Sequence, residues 1–249
     1  MIFSKGYSLA LDFHENSKAK ISPNSFDKNM PFKIYPNSEF VNLEKNCLKF
    51  AECTNDTFLR TILNRKSTRS FSEKPITIKE LSRLLTLGVG IRDHADSRLP
   101  RTYACAGARY PIETYVFMLK SGDIEPGVYH YNIFSNSLET LRKGDYSGAI
   151  YDFYGNQNQH VSMNFPCLIL FSIVFKRSMD KYGERGYRFS LIDAGHMSQN
   201  LYLVSEYLGL GIVAFGAGKE NDNKLDELLG LVSEEENAFY GFAIGHSKL

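Results

Sequence analysis

Apolar side chains recur at helical spacing in four stretches of the chain and alternate or run together in five others, and that contrast sets out the expected elements. Phe58, Leu59, Ile62 and Leu63 follow Asp56 and predict a short helix, which ends where Ser67 to Phe71 break the pattern. Thr77-Ile78-Lys79-Glu80 is a capping box ahead of Leu81, Leu84 and Leu85, so a second helix is expected to run to about Gly88. Met197, Leu201, Val204 and Leu208 repeat at intervals of four, three and four. They predict a long helix from about Phe189 that Gly209 stops.

Between Glu113 and Arg142 the texture alternates and is rich in Tyr, Val and Phe, as in Thr114-Tyr115-Val116-Phe117-Met118 and Val128-Tyr129-His130-Tyr131. Consecutive antiparallel strands are expected there. The uninterrupted apolar run 167–175 predicts a central strand buried on both faces. Segments 212–215 and 238–244 add two more strands around a short helix near Leu225 to Leu229. Residues 1–54, with Pro23, Pro31 and Pro36 and little periodicity, are expected to form an irregular arm in front of a single domain over 55–249. Long helices mixed with hairpin strands give an α+β architecture.

Composition narrows the chemistry. With 43% hydrophobic residues in 249, the chain can bury one large core. Lys plus Arg number 29 against 28 Asp plus Glu, so no bulk field draws in nucleic acid or an anionic membrane, and any anion must be held locally. The run 168–175 is too short to span a bilayer, and no basic segment precedes an apolar one at the start. A cytoplasmic protein without nucleic-acid or membrane partners is expected. Cys47, Cys53, Cys105 and Cys167 include no C-x-x-C pair and the six histidines are scattered, so neither a disulfide framework nor a metal site is expected.

Four constellations carry candidate chemistry. Arg65-Lys66-Ser67-Thr68-Arg69-Ser70-Phe71 gathers three cations and several hydroxyls, a donor set suited to phosphate and equally to a solvated helix end. Ala104-Cys105-Ala106-Gly107-Ala108 places small residues before a strand, where backbone amides can approach a ligand or a tight turn can pack. No base sits beside Cys105 in sequence to make it a nucleophile. The glycines around 209–218 fit neither the phosphate-loop spacing nor the dinucleotide fingerprint. Lys181-Tyr182-Gly183-Glu184-Arg185-Gly186-Tyr187-Arg188 crowds ionisable groups after the buried strand. The helix beyond it carries His196, Gln199 and Asn200 on one polar face, expected to meet solvent.

In their order and spacing these motifs resemble the nitroreductase-like flavoproteins, and within them the SagB-type dehydrogenases, which are azoline oxidases. The resemblance includes Phe13-His14-Glu15-Asn16-Ser17-Lys18, Arg65-x-Ser67-x-Arg69-x-Phe71 and Ala106-Gly107-Ala108-Arg109-Tyr110-Pro111. It continues through Lys181-Tyr182-Gly183-x-Arg185-Gly186-Tyr187-Arg188 and Ala194-Gly195-His196-x-x-Gln199-Asn200-Leu201. It implies a mostly antiparallel sheet between helices, an intertwined homodimer and FMN bound at the interface. It also implies that Arg65, Lys66, Ser67 and Arg69 contact the flavin from one subunit, and Cys105, Ala106 and Gly107 from the other. Gly216 and Ala217 match the loop whose amides face the flavin, and Lys181 and Tyr182 match the Lys-Tyr pair held to be catalytic. Where the family usually has Pro-Ser this chain has Ala104-Cys105. The implied reaction is dehydrogenation of a thiazoline or oxazoline to the azole, on a peptide that is free, carrier-bound or leader-bound, or on a small molecule, within a biosynthetic complex. An NAD(P)H-dependent nitro or quinone reductase and a non-catalytic flavin-binding or scaffolding subunit are the two alternatives.

Overall fold

The computed structural model describes residues 8–17, 33, 39, 41–43, 56–155, 160–215 and 219–248. The irregular arm expected over 1–54 contains a helix, α1 (Ser8–Ser17), among its described residues. Among its residues of described burial, Ala10 and His14 are the buried ones, one turn apart, and a single small apolar side chain beside a histidine is too little to register as periodicity. Helix α2 (Thr57–Asn64) starts as expected at Asp56, whose carboxylate accepts from Phe58 N (2.8 Å) and Leu59 N (3.2 Å). Helix α3 (Ile78–Val89) carries both halves of the Thr77–Glu80 capping box and buries Leu81, Leu84, Leu85 and Val89.

Strands β1 (Ile112–Met118), β2 (Gly127–Asn132) and β3 (Ser137–Lys143) form the expected antiparallel meander. A short helix α4 (Ser147–Ile150) with a wide turn at Tyr151–Gly155 leads to β4 (Cys167–Val174), whose side chains are buried at every position but Val174. Burial on both faces is what its apolar run requires, and the one polar position in it, Ser172, donates its hydroxyl to Glu236. Each fully buried Leu or Phe in it contributes about 1.5–3 kcal/mol relative to exposure. The sheet order is β3-β2-β1-β4-β6-β5, where β5 is Gly211–Phe215 and β6 is Glu236–Gly245, and every described pairing is antiparallel.

The chain turns from β4 directly into helix α5 (Phe175–Tyr182), which the sequence reading merged into the strand and the following loop. Val174, at its N-cap, offers no side-chain bond to mark the start. Helix α6 (Arg185–Leu208) then begins four residues before the expected Phe189, is about 36 Å long, and ends as expected at Gly209 in the left-handed conformation (φ 72°, ψ 23°). Helix α7 (Lys219–Leu229) precedes β6. One core lies between the sheet and helices α3 and α6, with Leu84, Ile169, Phe171, Met197 and Leu201 in it. The other, with Phe117, Tyr154, Leu168, Leu170 and Phe215, covers the opposite face. No helix among the described residues is long and apolar enough to cross a membrane, and among them no group of His, Cys, Asp and Glu is arranged to hold a metal ion.

Candidate functional site

Helices α5 and α6 meet at a corner, and the last turn of α5 delivers Lys181 and Tyr182 to it. The Lys181 ammonium lies 5.3 Å from the centroid of the Tyr182 ring, and that ring stands edge-on to Phe189 at 5.0 Å. Facing them is the tight turn Ala106–Ala108, in which Gly107 has φ +60°. A Cβ at Gly107 would stand 2.2 Å from the Tyr182 hydroxyl oxygen and 2.7 Å from Lys181 Nζ. Only a residue without a side chain leaves room there for both groups, and glycine also takes this φ without strain. Two motifs far apart in sequence, 105–107 and 181–182, thus meet within one chain.

The turn is held by the polar face of α6. Asp193, buried to 1% exposure, accepts the Cys105 Sγ–H at 2.9 Å with one carboxylate oxygen and the Ala106 N–H at 3.1 Å with the other. Cys105 Sγ in turn accepts from Tyr110 N at 3.1 Å. His196 donates its Nδ1–H to Ala104 O at 2.9 Å, and Asn200 Nδ2 donates to Thr102 O (3.1 Å) and Gly88 O (3.3 Å). Of the face expected to meet solvent, His196 and Gln199 are exposed and Asn200 is half-buried, and His196 and Asn200 also anchor the 102–104 backbone. Burial, reinforced by the bond to Asp193, pushes the Cys105 thiol up to about 12. A side chain so held is a donor in a structural network and no nucleophile. Burial likewise raises Asp193, against the lowering effect of its bonds to Cys105 and Ala106. The sequence reading passed over Asp193, although an acid four residues before Met197 interrupts the apolar stripe of α6 and was the available signal.

The far end of the turn is tied to the sheet. Arg177 donates from Nη1 to Tyr110 O (3.1 Å) and pairs with Glu113, while Arg109 Nε donates to Arg177 O (2.7 Å). His130 bridges Glu113 (Nε2, 3.1 Å) and Glu139 (Nδ1, 2.8 Å). The Glu113 bond, against the cost of burial, pushes His130 up to about 9. Burial opposes the Glu113 carboxylate, but His130 and Arg177 prevail and hold it below the usual range. A raised His contributes stability that is complete below its ordinary 6.5 and is lost as pH rises through 9. Thermal melts are therefore expected to lose about 1–2 kcal/mol between those limits, after allowance for solvent screening, and His130→Gln to remove that slope. A wild-type slope unchanged in His130→Gln would refute the assignment.

The cationic segment follows α2. Arg65 is in extended conformation with its guanidinium carbon 5.5 Å from the Tyr202 ring centroid. The Tyr202 hydroxyl accepts from Ala214 N (2.9 Å), and Thr68 N donates to Ile212 O (2.9 Å), so the segment lies along β5. Beyond that strand come Gly216 and Ala217, which lie outside the described residues. Arg69 makes one long bond, from Nη1 to Ser67 O at 3.5 Å. None of Arg65, Lys66 and Arg69 pairs with a carboxylate among the described residues. Uncompensated cations beside the Ser67 hydroxyl are the donor set that a phosphate monoester requires. Within one chain, however, this segment is tied to Tyr202 and the 105–107 turn to Asp193, nine residues and about 13 Å apart along α6.

The Nitroreductase family profile matches residues 62–246. The chain is 31% identical over 168 residues, 68% of its length and 81% of the relative's, to a Methanocaldococcus jannaschii protein described as a nitroreductase. It is 26% identical over 166 residues to the microcin B17-processing protein McbC of Escherichia coli, spanning 60% of each. Among solved structures, a chain of the E. coli microcin synthetase McbBCD complex with truncated pro-MccB17 superposes with a TM-score of 0.74. That superposition covers 99% of this chain and 89% of the other at 20% identity, a likeness of fold.

Proposed function

The chain belongs to the nitroreductase family, a family of oxidoreductases, and on that premise we propose that it binds FMN and dehydrogenates a thiazoline or oxazoline ring to the azole. The observation that carries this reading is the convergence of the Lys181 ammonium and the Tyr182 hydroxyl on the backbone of Gly107. The geometry supports this reading because an amino group and a hydroxyl that meet at the mouth of a turn held from two sides would be the arrangement general acid–base chemistry needs. The likeness to McbC, a protein named for processing microcin B17, supports the azoline substrate.

Arg65, Lys66, Ser67 and Arg69 are the residues that would hold the phosphate and pyrimidine edge of FMN, and the 105–107 turn, its Ala106 N–H committed to Asp193, would approach the ring from the other subunit. When bound, FMN supplies the two-electron acceptor, with dioxygen or another acceptor restoring it. The ring to be oxidised loses two hydrogens, one as a proton and one as a hydride that takes the C–H electron pair. Lys181 would accept the proton at Nζ after its ammonium has passed a proton to solvent. Tyr182 orients the ring through its hydroxyl and relays that proton. Gly107 keeps both groups at one point.

The resemblance to the family implies a homodimer, in which the cationic segment of one copy would face the Lys181 corner of the other. Helix α2 is equipped for burial against a second subunit, since Phe58 is 64% exposed and Ile62 44%. A place in a peptide-modifying complex is supported by the fold likeness to McbBCD. The second reading, a reductase fed by NAD(P)H, is favoured by the M. jannaschii relative. A scaffolding role draws nothing from Arg65 and Arg69, which pair with no carboxylate among the described residues.

The test is direct. The purified chain is expected to be yellow and to convert a thiazoline peptide into a product lighter by two hydrogens. Rapid anaerobic bleaching by NADPH without thiazoline oxidation would instead establish the reductase, and a protein that takes up no FMN would end both readings.

A further inference from the structure

Helix α1 is fastened to the α5–α6 corner by its own first turn. The Glu184 carboxylate accepts from Leu9 N (3.2 Å) and Ala10 N (2.6 Å), and buried His14 bonds to the Tyr187 hydroxyl at 3.0 Å. This placement has two consequences. Between α1 and α6 it leaves an apolar groove of about 600 Å³, walled by Leu9 and Phe13 on one side and Leu191 and Ile192 on the other, with Glu184 and Arg188 as its charged residues. Those walls remain open, with Leu9 73% and Phe13 60% exposed.

The second consequence is electrostatic. Glu184 is committed to α1, so Lys181, Arg185 and Arg188 have no carboxylate partner among the described residues. The corner's other acid, Asp180, is exposed and pairs with none of the three. The cationic rim is continuous with the candidate catalytic pair: the Arg185 guanidinium lies 5.5 Å from the Phe189 ring, and Phe189 packs on Tyr182. Glu184 keeps its charge within the groove, but both of its oxygens are turned to the α1 amides, so the rim groups left to pair with a ligand are cations, and an apolar trough beside them is complementary to a segment that is apolar and acidic.

We propose that the α1–α6 groove binds the stretch of substrate peptide flanking the reacting ring, with a large apolar side chain against Leu9, Phe13, Leu191 and Ile192 and an adjacent Asp or Glu paired with Arg188 and Arg185. The proposal rests on the azoline-oxidase reading for the identity of the peptide, and it gives residues of the N-terminal arm a part in substrate selection.

The experiment uses the full chain supplied with FMN and three fluorescent thiazoline peptides, whose flanks are Leu-Asp, Leu-Lys and Ala-Asp. Binding is read by anisotropy and turnover by mass. Leu-Asp is expected to bind about five- to tenfold more tightly than Leu-Lys, and about tenfold more tightly than Ala-Asp. Arg188→Glu should invert the charge preference, and Ile192→Asp should abolish the preference for Leu, both with FMN absorbance and melting temperature retained. Equal binding of all three peptides overturns the proposal. So does an Ile192→Asp variant that becomes monomeric with its peptide preference intact, since the groove then belongs to a second copy. If the preference appears but no peptide is oxidised, the groove assignment stands and the azoline-oxidase reading falls.

Discussion

Lys181→Ala is expected to lower azole formation by about a hundred- to ten-thousandfold, the usual range for removing a positioned base, while the protein stays folded and yellow. Two features of the structure make the separation clean. Lys181 is exposed at the end of α5, and its ammonium reaches the Tyr182 ring and the Gly107 backbone without pairing to any carboxylate among the described residues. Truncation therefore removes no buried contact, and the melting temperature should hold within a degree or two, since a surface substitution of this kind changes stability by about 0.5 kcal/mol or less. Tyr182→Phe keeps the ring that packs on Phe189 and removes only the hydroxyl, so a smaller loss of about ten- to a hundredfold is expected in kcat with little change in KM. Single-turnover mixing of thiazoline peptide with each holoprotein measures the chemical step. An unchanged rate in Lys181→Ala would remove the proton-acceptor role outright.

The second large effect is on coenzyme retention. Arg65→Ala and Arg69→Ala should each weaken FMN binding by about ten- to a hundredfold, because a charge-assisted contact to phosphate or to the pyrimidine edge is worth about 1.5–3 kcal/mol. The double variant should emerge from purification colourless. Neither arginine pairs with a carboxylate among the described residues. The fold loses little more than the stacking of Arg65 on Tyr202, about 0.5–1 kcal/mol. Titration of apoprotein with FMN, followed by flavin fluorescence at low and high salt, gives the dissociation constants. Affinities that match the wild type would move the phosphate site elsewhere.

What could be read in advance follows from how local each signal is. The Thr77–Glu80 box, the Gly209 stop and the strand over 167–174 depend on neighbours within a few residues, and each is where the pattern placed it. Helix α1 was illegible because the carboxylate at its first turn belongs to Glu184, more than 170 residues away. Helix α5 was hidden because its apolar positions, Phe175 and Met179, continue the run of β4 with no turn residue between. In the site, the meeting of 105–107 with 181–182 and the agents that hold it, Asp193, His196, Asn200 and Arg177, depend on tertiary bonds that leave no spacing in the sequence. The positive φ of Gly107 was equally silent, since the residue type permits that conformation without requiring it.

The bond between Cys105 and Asp193 bears on the by-product of the proposed chemistry. A reduced flavin restored by dioxygen releases hydrogen peroxide, and cysteines are attacked by peroxide through the thiolate. With its thiol held at about 12 by burial and by an anionic acceptor, Cys105 carries only a trace of thiolate at neutral pH. If the proposed flavin chemistry runs at this turn, a sulfur held in this way would react slowly with the peroxide it releases, and turnover would not consume it.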